Sequence, residues 1–310
     1  MMDSWCNFAV GFLKMIEMRT RLSIRLAVLA SVIATALGCS RTPASIEGLP
    51  SMFARMDSVN IHYKECGSGE NAVVFVHGFG CDMNSWEKQY EGLKGNKGLR
   101  MIFIDLPGFG GSDKPLVEYT LQFFADAVNS VLAKEYVDSA VFVGHSLGTP
   151  VCRQVLLTGG KGALCDIDGV YCFYNDPVSP EYEAAIQAFA DSFKGEGCRA
   201  NIEGFVSSLA GPDTPADITE YAMSTMPLTP EYVASSTMGS LVERKWWTGV
   251  PILAPAKIIC TQNSGLDQDN KEKMAALYPQ MDYTELTTCG HFIQMEQPDL
   301  VNKQILDLLN

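Results

Sequence analysis

Within Gly144-His145-Ser146-Leu147-Gly148 a serine stands between two glycines, directly after the apolar run Ala140-Val141-Phe142-Val143. The run reads as a buried strand and the residues after it as a helix. A serine with almost no chain between strand and helix is forced into a strained backbone conformation. Flanking glycines leave room for it. Its hydroxyl then stands clear of the sheet, and the amide of Leu147 opens the new helix, where an unpaired N–H can face an anion. The chemistry on offer is nucleophilic attack on a carbonyl, which requires a base, because a free hydroxyl is inert near neutrality. Gly290-His291-Phe292 places a histidine late in the chain, and His77-Gly78-Phe79-Gly80 places another early.

These residues must be carried by a frame. Met52–Met56 and Val59–Glu65 read as strands, followed by Val73–Val76, an unbroken apolar run of the kind buried on both faces. Met83 to Leu93 reads as a helix, Met101–Ile104 as a strand, and Thr120 as the cap of a helix with Leu121, Phe124, Ala125, Val128 and Val131 at helical spacing. After the serine turn, its helix runs to Leu157. Val170–Tyr174, Ala256–Cys260 and Tyr283–Leu286 read as further strands, and Asp299–Leu309 as a closing amphipathic helix. Alternating strands and helices predict a mainly parallel sheet with helices on both faces and an antiparallel opening pair.

Between Pro177 and Pro251 the strand signal vanishes and four helices are readable. One carries Tyr182, Ile186, Phe189 and Phe193, and a second runs from Ile202 to Leu209. Thr214-Pro215 and Thr229-Pro230 each read as a threonine N-cap with proline at the first helical position. An insertion of this kind is expected as a cap over the strand ends. Its Met223, Met226, Met238, Trp246 and Trp247 either line an apolar pocket or pack the cap onto the core.

Ser146 on its turn, His291 near the end, His77-Gly78 after an early strand and Asp105-Leu106-Pro107-Gly108-Phe109-Gly110-Gly111-Ser112 between them resemble the α/β-hydrolase family, in its cap-bearing branch with an HGF-type loop. The resemblance runs from about residue 52 to the end. It implies an α/β fold with a mostly parallel eight-stranded sheet flanked by helices and a helical cap after the sixth strand. Core segments are then 52–177 and 251–310, and the cap is 178–250. It also implies Ser146 as nucleophile, His291 as base, and the amides of Phe79 and Leu147 as oxyanion hole. His77 is expected to orient its loop, His145 to pack or hydrogen-bond, and the 105–112 segment to hold a turn. No acid stands at the family's usual corner, near Cys260-Thr261-Gln262-Asn263-Ser264. Two candidates remain: Asp176 after the Val170–Tyr174 strand, where haloalkane dehalogenases keep theirs, and Asp267 further along the later loop. Asp176 is the preferred one because Asn263-Ser264 leaves the usual corner empty.

At the N-terminus, Met18-Arg19-Thr20-Arg21-Leu22-Ser23-Ile24-Arg25 precedes an uncharged apolar run from Leu26 to Leu37, shorter than a comfortable membrane span. Ala36-Leu37-Gly38-Cys39-Ser40 resembles a bacterial lipobox. The expectation is a signal peptide over 1–38 with its start at Met18, a lipid anchor on Cys39, a tether over 39–51, and an exported, membrane-anchored protein. The net charge is −13 over 310 residues. Removing 1–38 makes it more negative, since Lys14, Arg19, Arg21 and Arg25 leave with only Asp3 and Glu17. That argues against nucleic acid and against binding to anionic membrane surfaces. Ten cysteines form no Cys-x-x-Cys pair, and Cys152, Cys172 and Cys260 fall in expected core elements. One disulfide among Cys66, Cys81, Cys165, Cys198 and Cys289 is compatible with export.

The expected activity is hydrolysis of a small apolar ester or another acyl compound through an acyl-enzyme on Ser146. No metal, organic cofactor or protein partner is implied. Serine at the turn argues against epoxide hydrolases and haloalkane dehalogenases, which use aspartate there. It leaves lactonases, carbon–carbon bond hydrolases and cofactor-free haloperoxidases, and a slow-turnover ligand sensor, as alternatives.

Overall fold

The computed structural model describes residues 42–174, 178–264 and 266–309. The expected leader and Cys39 lie outside the described residues. Eight strands form one sheet: β1 (Met52–Met56), β2 (Val59–Gly67), β3 (Asn71–Val76), β4 (Leu99–Ile104), β5 (Ala140–His145), β6 (Gly162–Ile167), β7 (Ala256–Thr261) and β8 (Met281–Leu286). Their order is β1-β2-β4-β3-β5-β6-β7-β8. β2 pairs antiparallel with β1 and β4, and every other pairing is parallel. The α/β-hydrolase fold implied by the resemblance is the fold observed.

Alternation along the central strands builds two apolar layers. Val74 and Val76 face one side with Phe142, Leu164 and Ile258, against α2 (Leu121–Lys134) and α3 (Gly148–Leu157). Val73, Phe75, Phe103 and Val143 face the other with Trp86 and Tyr90, against α1 (Glu87–Leu93) and the last helix. Thr120 caps α2 as expected, its hydroxyl accepting from the Phe123 amide at 3.0 Å. The expected helix from Met83 opens as a 3-10 turn, Met83–Trp86, before α1.

Four helices lie between β6 and β7 in sequence: α4 (Pro180–Asp191), α5 (Cys198–Leu209), α6 (Ala216–Thr225) and α7 (Glu231–Leu241). Pro215 and Pro230 sit one residue before α6 and α7 rather than inside them. Thr214 is therefore not a cap. Its hydroxyl accepts from the Gly211 amide at 2.8 Å and donates to Glu296 at 3.1 Å, tying this insertion to the C-terminal part of the chain. The chain closes through α8 (Gln268–Leu277), α9 (Ile293–Glu296) and α10 (Pro298–Asp307).

Two expectations need correction. Val170–Tyr174 is not a strand; the strand in that region is β6, with Val143 opposite Cys165 and Ile167 opposite Ile259. Aromatic, β-branched residues at 170–174 mimic a strand, whereas Asp166 interrupts the apolar pattern of the real one. Nor do residues 43–50 hang as a tether. Ile46 and Leu49 are buried, Tyr90 donates its hydroxyl proton to Pro43 O at 2.7 Å, and Lys64 donates to Ile46 O and Glu47 O. All eight cysteines described are free thiols.

If that segment belongs to the core, Ile46→Ala must leave a cavity in a closed layer. The substitution is expected to lower unfolding free energy in urea by about 2–5 kcal/mol. A change within about 0.5 kcal/mol, typical of a surface position, would restore the tether reading.

Candidate active site

Ser146 adopts φ +52°, the strained turn expected between β5 and α3. Room for it comes from the glycines. A Cβ on Gly148 would sit 2.0 Å from Val76 O, and one on Gly144 would sit 2.7 Å from the Gly148 backbone. The Ser146 amide donates to Ile167 O at 3.1 Å, so the β5–β6 ladder runs into the turn. Leu147 lies just ahead of α3, so its amide has no carbonyl one turn back to bond.

His291 follows β8 in the loop before α9. Its amide donates to Leu209 O at the end of α5 (2.9 Å), and the neighbouring Gly290 amide donates to Glu296 (3.0 Å). The carboxylate that meets its ring is Asp168, with Nδ1 to Oδ2 at 2.6 Å. Asp168 is buried, stands one residue past β6, and has φ +46°. Its own amide donates to Ile259 O at 2.7 Å, and its Oδ1 accepts the Thr261 amide at 2.8 Å. Those bonds fix the carboxylate from the β7 side. With Asp168 on Nδ1, the ring presents Nε2 as its free nitrogen.

Asp168 is not among the expected acids. Asp267 accepts the Asn270 amide at 2.8 Å and caps α8. Asp176 lies outside the described residues. Its placement rested on the Val170–Tyr174 strand; the expectation that the acid follows the sixth strand points to Asp168 once β6 is set eight residues earlier. The signal was present in the sequence as an Asp-Gly turn, Asp168-Gly169, closing the short apolar run Ala163-Leu164-Cys165 and Ile167.

The other histidines have different jobs. His77 is fully buried; its Nδ1 donates to Gly78 O (2.8 Å) and its Nε2 accepts the Leu106 amide (3.0 Å). It thus joins the loops after β3 and β4, the orienting role expected of it. Burial holds its pKa below the ordinary value, against the pull of Asp105. His145 donates from Nε2 to His291 O at 2.9 Å, and its buried Nδ1 has no partner. Burial, then the His291 ring 4.7 Å away, hold its pKa well below the ordinary range. In the 105–112 turn, Asp105 accepts from His62 Nδ1, Met83 N and Gly111 N, each at 2.8 Å. Burial alone would raise its carboxyl, but the His62 bond, His77 and those amides outweigh it and lower the pKa.

Ser146, His291 and Asp168 open onto one cavity of about 280 Å³. Phe79, Leu147, Val170, Phe205, Leu209 and Met238 give it apolar walls, with Tyr171 on one side. Of the cap methionines left open between lining and packing, Met238 lines it, and Met226 lines a smaller cavity beside Ser146 and His291. Trp246 and Trp247 do not line the cavity of about 280 Å³; their indoles donate to Ser240 Oγ (3.2 Å) and Leu241 O (2.7 Å). The loop that carries Phe79 is braced from α6, where the Tyr221 hydroxyl donates to Asp82 at 3.0 Å.

A family model described as "Alpha/beta hydrolase family" matches residues 73–304. Among curated proteins, the dihydrolipoyllysine-residue acetyltransferase component of the acetoin cleaving system from Cupriavidus necator is 33% identical over 112 residues, 36% of this chain and 29% of that one. The 2-hydroxy-6-oxononadienedioate/2-hydroxy-6-oxononatrienedioate hydrolase 1 of Dechloromonas aromatica is 24% identical over 308 residues, 85% of this chain and 96% of that one. Three curated relatives are spanned over only 29%, 33% and 53% of their length. Among solved structures, an esterase from Exiguobacterium antarcticum superposes with a TM-score of 0.72 at 18% identity, covering 83% of this chain and 98% of that one.

Neutral His145 has a measurable consequence. Its native pKa lies below the unfolded value, so below about pH 6.5 the unfolded chain takes up a proton that the native state refuses, and stability falls with pH. Urea midpoints for wild type should drop more steeply from about pH 7 to about pH 5.5 than those of His145→Gln, which keeps a donor for His291 O. Parallel profiles would show that His145 protonates freely in the folded protein.

Proposed function

Since the chain belongs to the alpha/beta hydrolase family, we propose that it is a serine hydrolase cleaving a small, neutral ester or related acyl substrate through an acyl-enzyme on Ser146. The observation that carries this reading is the 2.6 Å bond from His291 Nδ1 to Asp168, made at the wall of the cavity that Ser146 lines. In chain order the three residues run serine, acid, histidine, as in other nucleophile-elbow hydrolases.

The substrate carbonyl enters between Ser146 and the amides of Phe79 and Leu147. His291 Nε2 takes the hydroxyl proton as Oγ attacks, and the imidazolium that forms is stabilised by Asp168 through Nδ1–H. The two amides receive the developing oxyanion, a contribution of about 3 kcal/mol per donor. Collapse expels the alcohol, which takes the proton back from Nε2. Water then repeats the sequence, with His291 as base, and releases the acid.

Substrate class follows from the walls. The cavity falls at the small end of ligand pockets, and among the described residues lining it there is no lysine or arginine. An acyl group with its own carboxylate would be left without a counter-charge there. That supports a neutral acyl body over the doubly charged compound named for the Dechloromonas aromatica relative. The reading includes a 178–250 cap over the 52–177 and 251–310 core, and export with a lipid anchor on Cys39, both supported by the residue patterns described above.

A fluorophosphonate should label Ser146 within minutes, and short-chain p-nitrophenyl esters should turn over many times. Ser146→Ala should abolish both. Labelling without repeated turnover would favour a ligand sensor instead. Among the carboxylates, Asp168→Asn is expected to cost about 10³–10⁴-fold in kcat. Asp267→Asn, which keeps the helix cap, should stay within about twofold. The reverse ranking would overturn the triad.

A further inference from the structure

Two residues before Asp168, β6 buries a second carboxylate. Asp166 is wholly inaccessible to solvent and does not line the Ser146 cavity, so the reaction has no direct use for it. Its three partners come from three parts of the site. Oδ1 lies 2.9 Å from Thr149 Oγ1, in the first turn of the helix that Ser146 opens, and accepts the Gly169 amide at 2.9 Å, next to Asp168. Oδ2 meets the hydroxyl of Tyr171, a wall of the Ser146 cavity.

Counting protons shows which form fits. The Thr149 hydroxyl has one proton, yet it stands 2.9 Å from both Gly144 O and Asp166 Oδ1. The Tyr171 hydroxyl can give its proton to Asp166 Oδ2, because the Tyr278 hydroxyl 3.3 Å away has a proton of its own to give to Tyr171. The contact left without a donor is the one at Thr149: a proton on Asp166 Oδ1, given to Thr149 Oγ1, frees the Thr149 proton for Gly144 O. An ionised Asp166 would instead be a buried charge.

We propose that Asp166 is a positioning residue which, as the neutral acid, locks the Asp168–Tyr171 turn to the helix behind Ser146 and so holds both the triad acid and one pocket wall in place. This rests on Asp168 being the acid of the triad. The surroundings favour the protonated form. Burial raises the carboxyl; the bonds from Tyr171, Thr149 and the Gly169 amide oppose that in part, Asp168 adds repulsion, and the result is a pKa of about 7, so the neutral form prevails on the acid side of that pH. Around it stand the hydroxyls of Tyr171 and Tyr278 and the thiols of Cys152, Cys165 and Cys260. Arg153 lies beyond, with its guanidinium donating to Thr248 O and Val250 O at 2.9 Å each.

Asp166→Asn, Asp166→Val and Tyr171→Phe separate the possibilities. Urea stability against pH reads protonation without reference to turnover. A native pKa raised from about 4 to about 7 means that wild type loses stability relative to Asp166→Asn as pH rises through that window, with no gap below it and a constant gap above. A gap that is the same at every pH would show that Asp166 does not bind a proton in the folded protein, and would overturn the neutral-acid assignment. For kinetics on p-nitrophenyl butyrate, Asp166→Val should lower kcat by about tenfold or more, with KM within about threefold, because small misplacements of a catalytic group are costly. Asp166→Asn should recover kcat to within about threefold of wild type, since the amide copies the neutral acid's shape and carries a donor without a charge. An Asp166→Asn enzyme as slow as Asp166→Val, or an Asp166→Val enzyme at full speed, would overturn the positioning role. If Asp166→Val does not fold, Tyr171→Phe serves in its place, with a severalfold loss of kcat expected and unchanged kcat contradicting. If wild type neither reacts with fluorophosphonate nor turns over, the hydrolase reading has failed, and the stability profiles still decide the protonation of Asp166.

Discussion

The candidate site depends on main-chain hydrogen bonding continuing past the ends of three parallel strands. The Ser146 amide bonds Ile167 O, the Asp168 amide bonds Ile259 O, and the Thr261 amide bonds the Asp168 carboxylate. β5, β6 and β7 are therefore held in step where the ladder would otherwise fray. Two of the residues so held, Ser146 and Asp168, have positive φ (52° and 46°), a sparsely populated conformation that is costly above all for the serine. Strain at the tips is tolerated because the sheet beneath is buried on both faces. His291 reaches the same point from the loop after β8, bound to the α5 carbonyl of Leu209.

Around that frame, one residue type serves several purposes according to burial and partners. His77 and His145 are buried and neutral, and each joins loops by donating one N–H to a carbonyl. His291 alone of the three lines the cavity of about 280 Å³ beside Ser146 and has a carboxylate on Nδ1. The two aspartates of β6 and its turn divide similarly. Asp168 meets an imidazole and an amide, whereas Asp166 meets hydroxyls and an amide in a dry interior. A carboxyl set among hydroxyls in a dry interior is favoured as the neutral acid, which is the form proposed for Asp166.

Much of this was legible in the residues. The glycine-flanked serine, the late histidine, the early His-Gly loop and seven of the eight strands are strong local patterns, and the four helices between β6 and β7 follow from helical periodicity and their flanking residues. What misled was β6. Strand patterns are recognised by unbroken apolar residues, and Asp166 breaks this one because its polar atoms find partners only in the folded chain. Val170-Tyr171-Cys172-Phe173-Tyr174 looks more like a strand than the strand does, and it carried the expected acid with it to Asp176. Pro43 to Leu49 reads as a tether for a related reason. A short segment with two apolar residues has no periodicity, and its place is set by acceptors offered to Tyr90 and Lys64 from distant parts of the chain.

A crystal structure of the protein after reaction with a p-nitrophenyl alkylphosphonate tests the central claim most directly. Phosphorus should be bonded to Ser146 Oγ, with one phosphonyl oxygen within hydrogen-bond distance of the Phe79 and Leu147 amides. The alkyl group should lie along Val170 and Met238, and His291 should still be held by Asp168. An adduct on another residue, or a His291 ring held by a different carboxylate, would contradict the account.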